Sequence, residues 1–229
     1  FREPAAAPGT EARKSFGAFL GDFGRVLLNW RLMTLILLVA GFWSMFFQFY
    51  GPLPRYLTDD LHASTRALGF VISLDALAIV CLQVVVGYFV RNLAAGRAIF
   101  IAALVAAAGI AFIGLVPSIW AVAVGILIFS VGEMIYSAHF YRYLGSIAPP
   151  DQVGMYMGFA FLPIALGYFL AGLIGGPVYD FFKNTLHQPQ LMWFVFAAVG
   201  VISAFGLLLM TQLLKGGAGA QPAAGSGTA

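Results

Sequence analysis

Two acidic residues stand inside long apolar stretches of this sequence, and their carboxyl groups are the ones best placed to do chemistry. Glu133 lies in GILIFSVGEMIYSAHFYRYL and Asp75 lies in LGFVISLDALAIVCLQVVVGYF. A charged carboxylate at the centre of a bilayer costs at least ~2.5 kcal/mol, so it must be protonated, paired or hydrated. Each of these states permits proton or substrate chemistry at Glu133. The simpler alternatives are that a neutral Glu133 only bonds a neighbouring helix and that Asp75 reaches external water.

Polar and aromatic side chains surround Glu133 at helical spacing. Offsets of three, four, seven and eight place residues on one face of an α-helix. The residues at these offsets are Ser130, Tyr136, Ser137, Phe140 and Tyr141. At about 1.5 Å per residue, Glu133 stands about 21 Å from the start of its span, and Asp75 stands closer to the same membrane surface. The pattern predicts a polar stripe on a hydrophobic helix.

Two further stretches carry polar side chains at membrane depth. GFWSMFFQFYGPLP holds Trp43, Phe47 and Tyr50 near one face, with Gln48 among them. Aromatic walls suit a cavity for amphipathic ligands, although lipid-facing bulk explains them about equally well. Gln83 stands at about the depth of Glu133 and is expected to form a hydrogen bond across helices.

The composition is typical of an integral membrane protein. Of the 229 residues 61% are hydrophobic and 9% are charged, whereas soluble proteins carry about 25% charged residues. The net charge of +3 comes from basic residues sorted by membrane side, which makes nucleic acid a poor partner. One cysteine, Cys81, and three scattered histidines assemble neither a catalytic nucleophile with its base nor a metal-ligand cluster. We therefore expect no enzyme activity, no metal and no cofactor.

Six segments are long and apolar enough to span a bilayer, which takes about 20 residues. They are roughly 32–53, 68–90, 98–116, 119–143, 154–178 and 191–213. Their short connections require antiparallel neighbours, so the expected fold class is all-α, a polytopic six-helix transmembrane bundle. Residues 1–31 are expected to form a cytoplasmic linker with an amphipathic helix near 16–28. Residues 214–229 are expected to form a disordered cytoplasmic tail.

Lysine and arginine concentrate on one side of these spans. The opposite side has only Arg55, Arg66 and Lys183. The residues that share the first side are Arg2, Arg13, Lys14, Arg25, Arg31, Arg91, Arg97, Arg142 and Lys215. Basic residues are enriched on the cytoplasmic side of membranes. Both termini are therefore predicted to be cytoplasmic, in an inner or plasma membrane.

The fifth span is rich in glycine and contains a proline. Gly154 and Gly158, then Gly172 and Gly176, are four residues apart, with Pro163 between the two pairs. Small residues allow close helix contact and proline allows a bend. Gly158, Pro163, Gly172 and Gly176 are therefore expected to serve helix packing or a hinge.

Together these features resemble the C-terminal half of a major facilitator superfamily transporter, which has two six-helix bundles, each a 3+3 inverted repeat. The second span is similar to its counterpart in drug:proton antiporters of the superfamily, where Asn commonly occupies the place of Asp75. GYFVRNLAAGR resembles the facilitator loop signature, because Gly87, Gly96 and Arg97 match, whereas Arg91 replaces the usual acid. The resemblance implies a missing N-terminal half, from the same gene or from a second chain.

The fourth and fifth spans are similar to the proton-dependent oligopeptide transporter family. The matching residues in GEMIYSAHFYRYLGSIAPPDQVGMYMGFAFLPIALGYFLAG are Gly132, Glu133, Ser137, Ala148, Pro149, Met157, Gly158, Gly167 and Gly172. Ala138, Phe159 and Tyr168 depart from the usual Pro, Trp and Asn of that family. In that family the Glu at the place of Glu133 faces the central cavity and contacts the amino terminus of the peptide. The resemblance implies such a role here.

The function expected first is proton-coupled uptake of peptides or similar small molecules, by alternating access around a site near the bilayer midplane. The partners would then be a small-molecule substrate, protons and the lipid bilayer. Drug:proton antiport, favoured by the second span, is one alternative. A non-transporting membrane scaffold or assembly partner is another, and it leaves Glu133 and its stripe unexplained.

Overall fold

The computed structural model describes residues 28–148 and 153–218, and all regular secondary structure within these ranges is helical. The α-helices in chain order are α1 (Trp30–Phe46), α2 (Pro52–Arg55), α3 (Thr65–Val90), α4 (Ala95–Ile113), α5 (Ile119–Ile147), α6 (Val153–Phe159), α7 (Leu162–Asn184) and α8 (Met192–Ala218). Short 3₁₀ turns lie at Phe47–Phe49 and Pro189–Leu191, and a π turn lies at Tyr56–Asp60.

Six stretches of the described chain are long and apolar enough to cross a membrane. They are Leu32–Asp60, Thr65–Val90, Ala95–Ile113, Ile119–Ser146, Val153–Asn184 and Pro189–Met210. Long apolar runs form helices in lipid because each helix satisfies its own backbone groups. The predicted fold class, an all-α protein with six transmembrane helices, is confirmed.

Residues 1–34 and residues 35–229 form separate compact units. Of the first unit the described residues are 28–34, which include the start of α1. There the Leu32 amide donates to Asn29 Oδ1 at 3.3 Å, which satisfies one of the amide groups left free at a helix start. The packing described below lies within residues 35–229.

The core of the second unit lies where α4 packs against α5 and α8. Ala102, Ala103 and Ala106 of α4 are wholly buried. A Cβ added to Gly132 of α5 would lie 2.6 Å from the Ala102 carbonyl oxygen, so a larger residue would force the two helices apart. Small residues on both helices thus let the backbones approach closely, as is usual in membrane bundles.

Helix α3 packs mainly against α5 and leaves most of its surface open. Its buried residues are Val71 and Ala78, whereas apolar side chains such as Val80, Val84 and Phe89 are exposed. Exposed apolar side chains on a helix of this length suit contact with lipid. α3 is therefore the span that depends least on its neighbours.

The first span is not a regular α-helix over its whole length. α1 ends at Phe46, a 3₁₀ turn follows, and Pro52 begins the four-residue α2. Pro52 and Pro54 have no amide hydrogen, so regular helical bonding does not pass through them. The chain then widens into the π turn, where the Leu61 amide donates to the Tyr56 carbonyl at 3.1 Å. Helical structure therefore continues past the predicted end at residue 53.

The fifth span is broken near its proline. α6 ends at Phe159 and α7 begins at Leu162, so the segment predicted as one span at 154–178 consists of two helices. Pro163 stands in the first turn of α7, where an amide hydrogen has no intrahelical partner in any case. The proline thus starts a new helix rather than bending a continuous one.

The predicted terminal segments are described only in part. Residues 1–27 of the linker, with nearly all of its predicted amphipathic helix at 16–28, lie outside the described residues. At the other end α8 continues to Ala218, which places the first residues of the predicted tail in a helix. The rest of that tail, 219–229, lies outside the described residues.

Candidate functional site

Asp75 of α3 and Glu133 of α5 come together between their helices. The two carboxyl groups lie close enough to interact electrostatically with each other. Both residues are partly buried, and Glu133 Oε2 is enclosed with no hydrogen-bond partner among the described residues. Two carboxylates so close repel each other strongly in apolar surroundings, which disfavours the doubly charged state. The pair is therefore arranged to hold one proton between two carboxyl groups.

Ser130 connects this pair to the backbone of α5. Its Oγ is wholly buried and lies 2.5 Å from Asp75 Oδ1 and 2.9 Å from the Ile126 carbonyl oxygen. A serine hydroxyl carries one hydrogen and cannot donate fully to both oxygens. Ser130 therefore shares its hydrogen between Asp75 Oδ1 and the Ile126 carbonyl oxygen, and it fixes the position of the Asp75 carboxyl group against α5.

The two acids lie at one level, although the sequence placed Asp75 closer to the membrane surface. α3 begins at Thr65 rather than at residue 68, so Asp75 stands about 15 Å along its helix. Ser130 stands about 17 Å along α5 by the same rise. The earlier start of α3 explains part of the change in the depth assigned to Asp75. The contact with Ser130 shows directly that the two residues lie side by side.

The predicted stripe around Glu133 faces two different neighbours. Ser130 and Glu133 face α3, whereas Tyr136 packs on α1. The Tyr136 ring stacks on Phe42 with centroids 4.5 Å apart and on Phe140 with centroids 5.1 Å apart. These rings are buried. Tyr136 therefore belongs to an aromatic core beside the carboxyl pair.

The remaining residues of the stripe lie away from the pair. Ser137 Oγ donates to the Glu133 carbonyl oxygen at 2.8 Å, so its hydroxyl satisfies the backbone of its own helix. Tyr141 is 43% exposed. Neither side chain forms a recorded hydrogen bond with the carboxyl group of Glu133.

Gln48 of the first span is buried, and Trp43 is partly buried with its Nε1 enclosed. Trp43 packs edge-on against Tyr136 with ring centroids 6.1 Å apart, and within the described residues its Nε1 has no hydrogen-bond partner. Gln48 Nε2 donates to the Ser44 carbonyl at 3.0 Å, while Gln48 Oε1 is buried and, within the same residues, unpaired. Gln83 is partly exposed. No hydrogen bond of its side chain is found in the described part of the chain.

Two small adjoining clefts lie between the first span and α7. One is about 120 Å³ in volume, and its walls include Phe47, Tyr50 and Tyr168. The other is about 190 Å³, and its walls include Arg55 and Tyr179. Phe47 and Tyr50 of the first span therefore line a small cleft, and the carboxyl pair is not among the residues that line it.

The residues of the loop signature lie at the ends of α3 and α4. The Arg91 guanidinium stands 4.2 Å from the centroid of the Tyr88 ring, and the Arg91 carbonyl oxygen accepts a hydrogen bond from Arg142 at 3.4 Å. Arg97 is exposed, and Gly87 and Gly96 are partly exposed. Arg91, which replaces the usual acid of the signature, thus contacts its own helix end and α5.

The glycines of α6 and α7 divide into two groups. A Cβ added at Gly158, Gly172 or Gly176 would meet no atom within 4 Å, whereas one added at Gly167 would lie 2.9 Å from the Ala40 carbonyl oxygen. Close packing between α7 and α1 therefore occurs at Gly167 rather than at the three glycines predicted for it. The hinge role of those three and of the nearby proline stays a prediction.

Metal binding finds no support in the described ranges. Within residues 28–148 and 153–218, no group of three or more His, Cys, Asp or Glu side chains is placed to hold a metal ion. The polar groups brought together between α3 and α5 are two carboxyl groups and one hydroxyl.

The pairing of Asp75 with Glu133 is the part of the site that the sequence did not predict. Each acid was recognised by its apolar surroundings, but their contact depends on the rotation of two helices that are not adjacent in the chain. The sequence feature that could have indicated this pairing is Ser130, three residues from Glu133. A small hydroxyl side chain at that offset leaves room for a side chain from a neighbouring helix.

The fold and this site define a multi-pass membrane protein with a polar site between its helices. Residues 32–226 match the model of the Major Facilitator Superfamily, and the chain belongs to this superfamily. The superfamily comprises transporters rather than enzymes, in agreement with the expectation from the sequence. The finer resemblance to proton-dependent oligopeptide transporters stays a prediction.

Curated relatives share its helices at low identity. The multidrug resistance protein MdtH of Aeromonas salmonicida (strain A449) is 27% identical over 190 residues, which cover 82% of this chain and 47% of the relative. The protein of the same name from Enterobacter sp. (strain 638) is 28% identical over 185 residues, which cover 80% and 46%. That from Yersinia enterocolitica is 26% identical over 184 residues, which cover 80% and 45%. The chain thus spans about half the length of the curated relatives it matches.

Proposed function

We propose that this chain forms one six-helix half of a proton-coupled secondary transporter that exports small organic molecules by alternating access. The relatives bear the name multidrug resistance protein, which supports drug:proton antiport over the peptide uptake expected first from the sequence. The other half would supply the second wall of the transport cavity. The partners are then a small-molecule substrate, protons, the lipid bilayer and an N-terminal six-helix bundle.

The contact between Asp75 and Glu133 carries this proposal. With one proton shared between them the two carboxyl groups hold α3 against α5. When the proton leaves, two negative charges face each other in apolar surroundings, and the contact is no longer favourable. Within this chain α3 is the least buried span, so its movement away from α5 breaks few other contacts inside this six-helix half. Proton occupancy thereby changes the position of a helix, as coupling in alternating access requires.

Glu133→Gln in the full-length protein tests the role of the pair. In proteoliposomes with an imposed pH gradient, we expect proton-driven substrate flux to fall about a hundredfold, because the glutamine amide does not take up and release a proton as a carboxyl group does. Asp180→Asn is the matched control, since it removes an exposed carboxylate of α7, and it should retain the flux. Unchanged coupling in Glu133→Gln would remove this carboxyl from the mechanism.

The direction of transport separates export from uptake. In vesicles of known orientation, an antiporter accumulates substrate on the side from which protons leave, whereas a symporter moves substrate together with protons. Peptide uptake is the second candidate, and it rests on the match of the fourth and fifth spans around Glu133 to oligopeptide transporters. A dipeptide and a lipophilic organic cation, assayed in the same vesicles, distinguish the two.

Both termini of the chain are proposed to be cytoplasmic, in an inner or plasma membrane. The support is the concentration of Lys and Arg on that side of the spans. A tag placed after residue 229 should be protected from proteases added to intact cells. Digestion of the tag in intact cells would reverse the orientation.

A further inference from the structure

His139 of α5 is wholly buried, and both of its ring nitrogens face backbone carbonyl oxygens. Nδ1 lies 2.9 Å from the Ile135 oxygen, and Nε2 lies 3.1 Å from the Val90 oxygen. A carbonyl oxygen only accepts hydrogen bonds, and a neutral imidazole carries a single N–H. A neutral ring would therefore place one bare nitrogen lone pair against a carbonyl lone pair.

We propose that His139 is a second proton-binding site, whose imidazolium form ties the C-terminal end of α3 to α5. The proton enters from water, bonds to the bare ring nitrogen, and leaves the ring with two N–H groups and one positive charge. One of these groups donates to Ile135 within α5, and the other donates to Val90, the last residue of α3.

The position of Val90 favours this charge. The carbonyl groups in the last turn of an α-helix carry the negative end of the helix dipole, which stabilises a cation beside them. Histidine is the side chain whose ordinary titration range lies nearest to neutral pH. An imidazolium at the end of α3 therefore faces the negative end of that helix dipole.

The charged groups around this site work against the imidazolium rather than for it. In the described ranges, the helix ends near His139 carry no acidic side chain. Their titratable and charged groups are Tyr88 and Arg91 at the end of α3, Arg97 of α4, Tyr156 of α6, and Tyr136, Arg142 and Tyr143 of α5. The recorded partners of the His139 ring in the described chain are thus the two carbonyl oxygens.

This site is separate from the carboxyl pair. His139 stands six residues from Glu133, about 9 Å along the helix axis, and its bonds run to the backbone of α3 instead of to Asp75. Loss of the proton removes one of the two hydrogen bonds and releases the start of the 91–94 loop, which leads from α3 to α4. The inference holds whatever substrate the protein carries.

Nitrogen-15 NMR of histidine-labelled full-length protein in lipid vesicles tests the protonation directly. The resonances lost in His139→Gln identify this ring. We expect two protonated nitrogens at acidic pH and a single one at alkaline pH. A ring with only one N–H at every pH tested would overturn the proposal.

A distance measurement tests the tie between the helices. Spin labels at Asn92 and Ser146, both exposed, are introduced as cysteines after every native cysteine, Cys81 included, is replaced by serine. We expect the distance distribution to widen at alkaline pH in the parent protein. In His139→Gln it should not respond to pH, because a glutamine amide donates to Val90 at any pH.

Arg142→Gln is the control for the second measurement. It removes the neighbouring bond between Arg142 and the Arg91 carbonyl without removing a group that titrates near neutral pH, so the response to pH should persist. A response that also persists in His139→Gln, or that is lost in Arg142→Gln alone, would contradict the proposal.

Discussion

The acidic residues of the described chain lie in two regions. In one region a carboxyl group faces another carboxyl group, and in the other it faces a cation. At mid-helix, Asp75 and Glu133 face each other. At the ends of the first span and of α7, Asp59, Asp60 and Asp180 face cations. The residue types are the same, and only the neighbours and the depth differ.

The cationic partner of the second region is Lys183 of α7. Its Nζ stands 3.2 Å from Asp60 Oδ1 and 3.5 Å from Asp59 Oδ2, and it donates to the Tyr179 hydroxyl at 2.9 Å. That hydroxyl donates in turn to Asp60 Oδ2 at 2.7 Å. These bonds join the π turn of the first span to α7, and we call them the Lys183 network.

The difference shows what a carboxyl group can do in each place. A carboxylate beside a lysine remains charged, and its contact contributes to stability. A carboxyl group beside another carboxyl group depends on a proton, so its contact forms and breaks with that proton. The Lys183 network is therefore expected to be structural, and the carboxyl pair is expected to be the part that changes during function.

The largest expected effect comes from substituting either member of the carboxyl pair. Asp75→Asn and Glu133→Gln should each lower proton-coupled flux about a hundredfold, or about 2.7 kcal/mol. If the two groups hold one proton, the double variant should lose no more than either single variant, because one site is lost only once. Initial rates in proteoliposomes of the full-length protein measure this. Losses that multiply would show two independent sites.

Ser130→Ala should have a smaller effect on the same rate. It removes the hydroxyl between Asp75 and the Ile126 carbonyl but keeps both carboxyl groups, so we expect a loss of about tenfold, or about 1.4 kcal/mol. Ser137→Ala is the matched control, because that hydroxyl bonds only the backbone of its own helix in the described chain. Equal losses in the two variants would argue against a specific role for Ser130.

Lys183→Met should affect stability rather than coupling. It leaves Asp60 without its cation, and we expect the unfolding free energy to fall by about 1 kcal/mol. Thermal unfolding of the purified protein should show a melting temperature lower by a few degrees, with an unchanged ratio of protons to substrate. Arg66→Gln, which removes an exposed cation near the same end of the spans, is the control. A change in the proton ratio would place the Lys183 network in the mechanism.

The smallest effect is expected at the pair of Arg55 and Asp180. Their side chains are 3.3 Å apart and are 52% and 51% exposed, so water and salt screen the interaction. Arg55→Gln should lower stability by about 0.5 kcal/mol or less. The loss should vanish at high ionic strength, and a loss that persists there would show that the Arg55 contact with the Tyr179 ring, at 4.6 Å, provides the stabilisation.

The fold could be predicted because hydropathy acts locally. A run of about 20 apolar residues becomes a spanning helix whatever surrounds it, since lipid leaves its backbone no other partners. The breaks were harder to place. Pro163 marked the region of one break. Whether a proline bends a helix or begins a new one depends on the residues before it. Here the preceding helix, α6, ends at Phe159.

The candidate site could be predicted only one residue at a time. Glu133 and Asp75 could be recognised from the sequence because an acidic residue inside an apolar span is energetically costly and usually functional. The two carbonyl contacts of His139 depend on where α3 ends. Trp43 was expected beside a cavity with Phe47 and Tyr50, but it packs against Tyr136, because the rotation of α1 directs this ring toward α5.

The sequence by itself therefore determined six transmembrane helices, the superfamily they resemble and the acids that membrane burial makes costly. These follow from composition along the chain, where each residue meets lipid or its own helix. Only the tertiary structure decided that Asp75 meets Glu133, that Lys183 meets Asp60 and that His139 meets Val90. Such contacts depend on the start, tilt and rotation of each helix, which are set by packing between residues far apart in the chain.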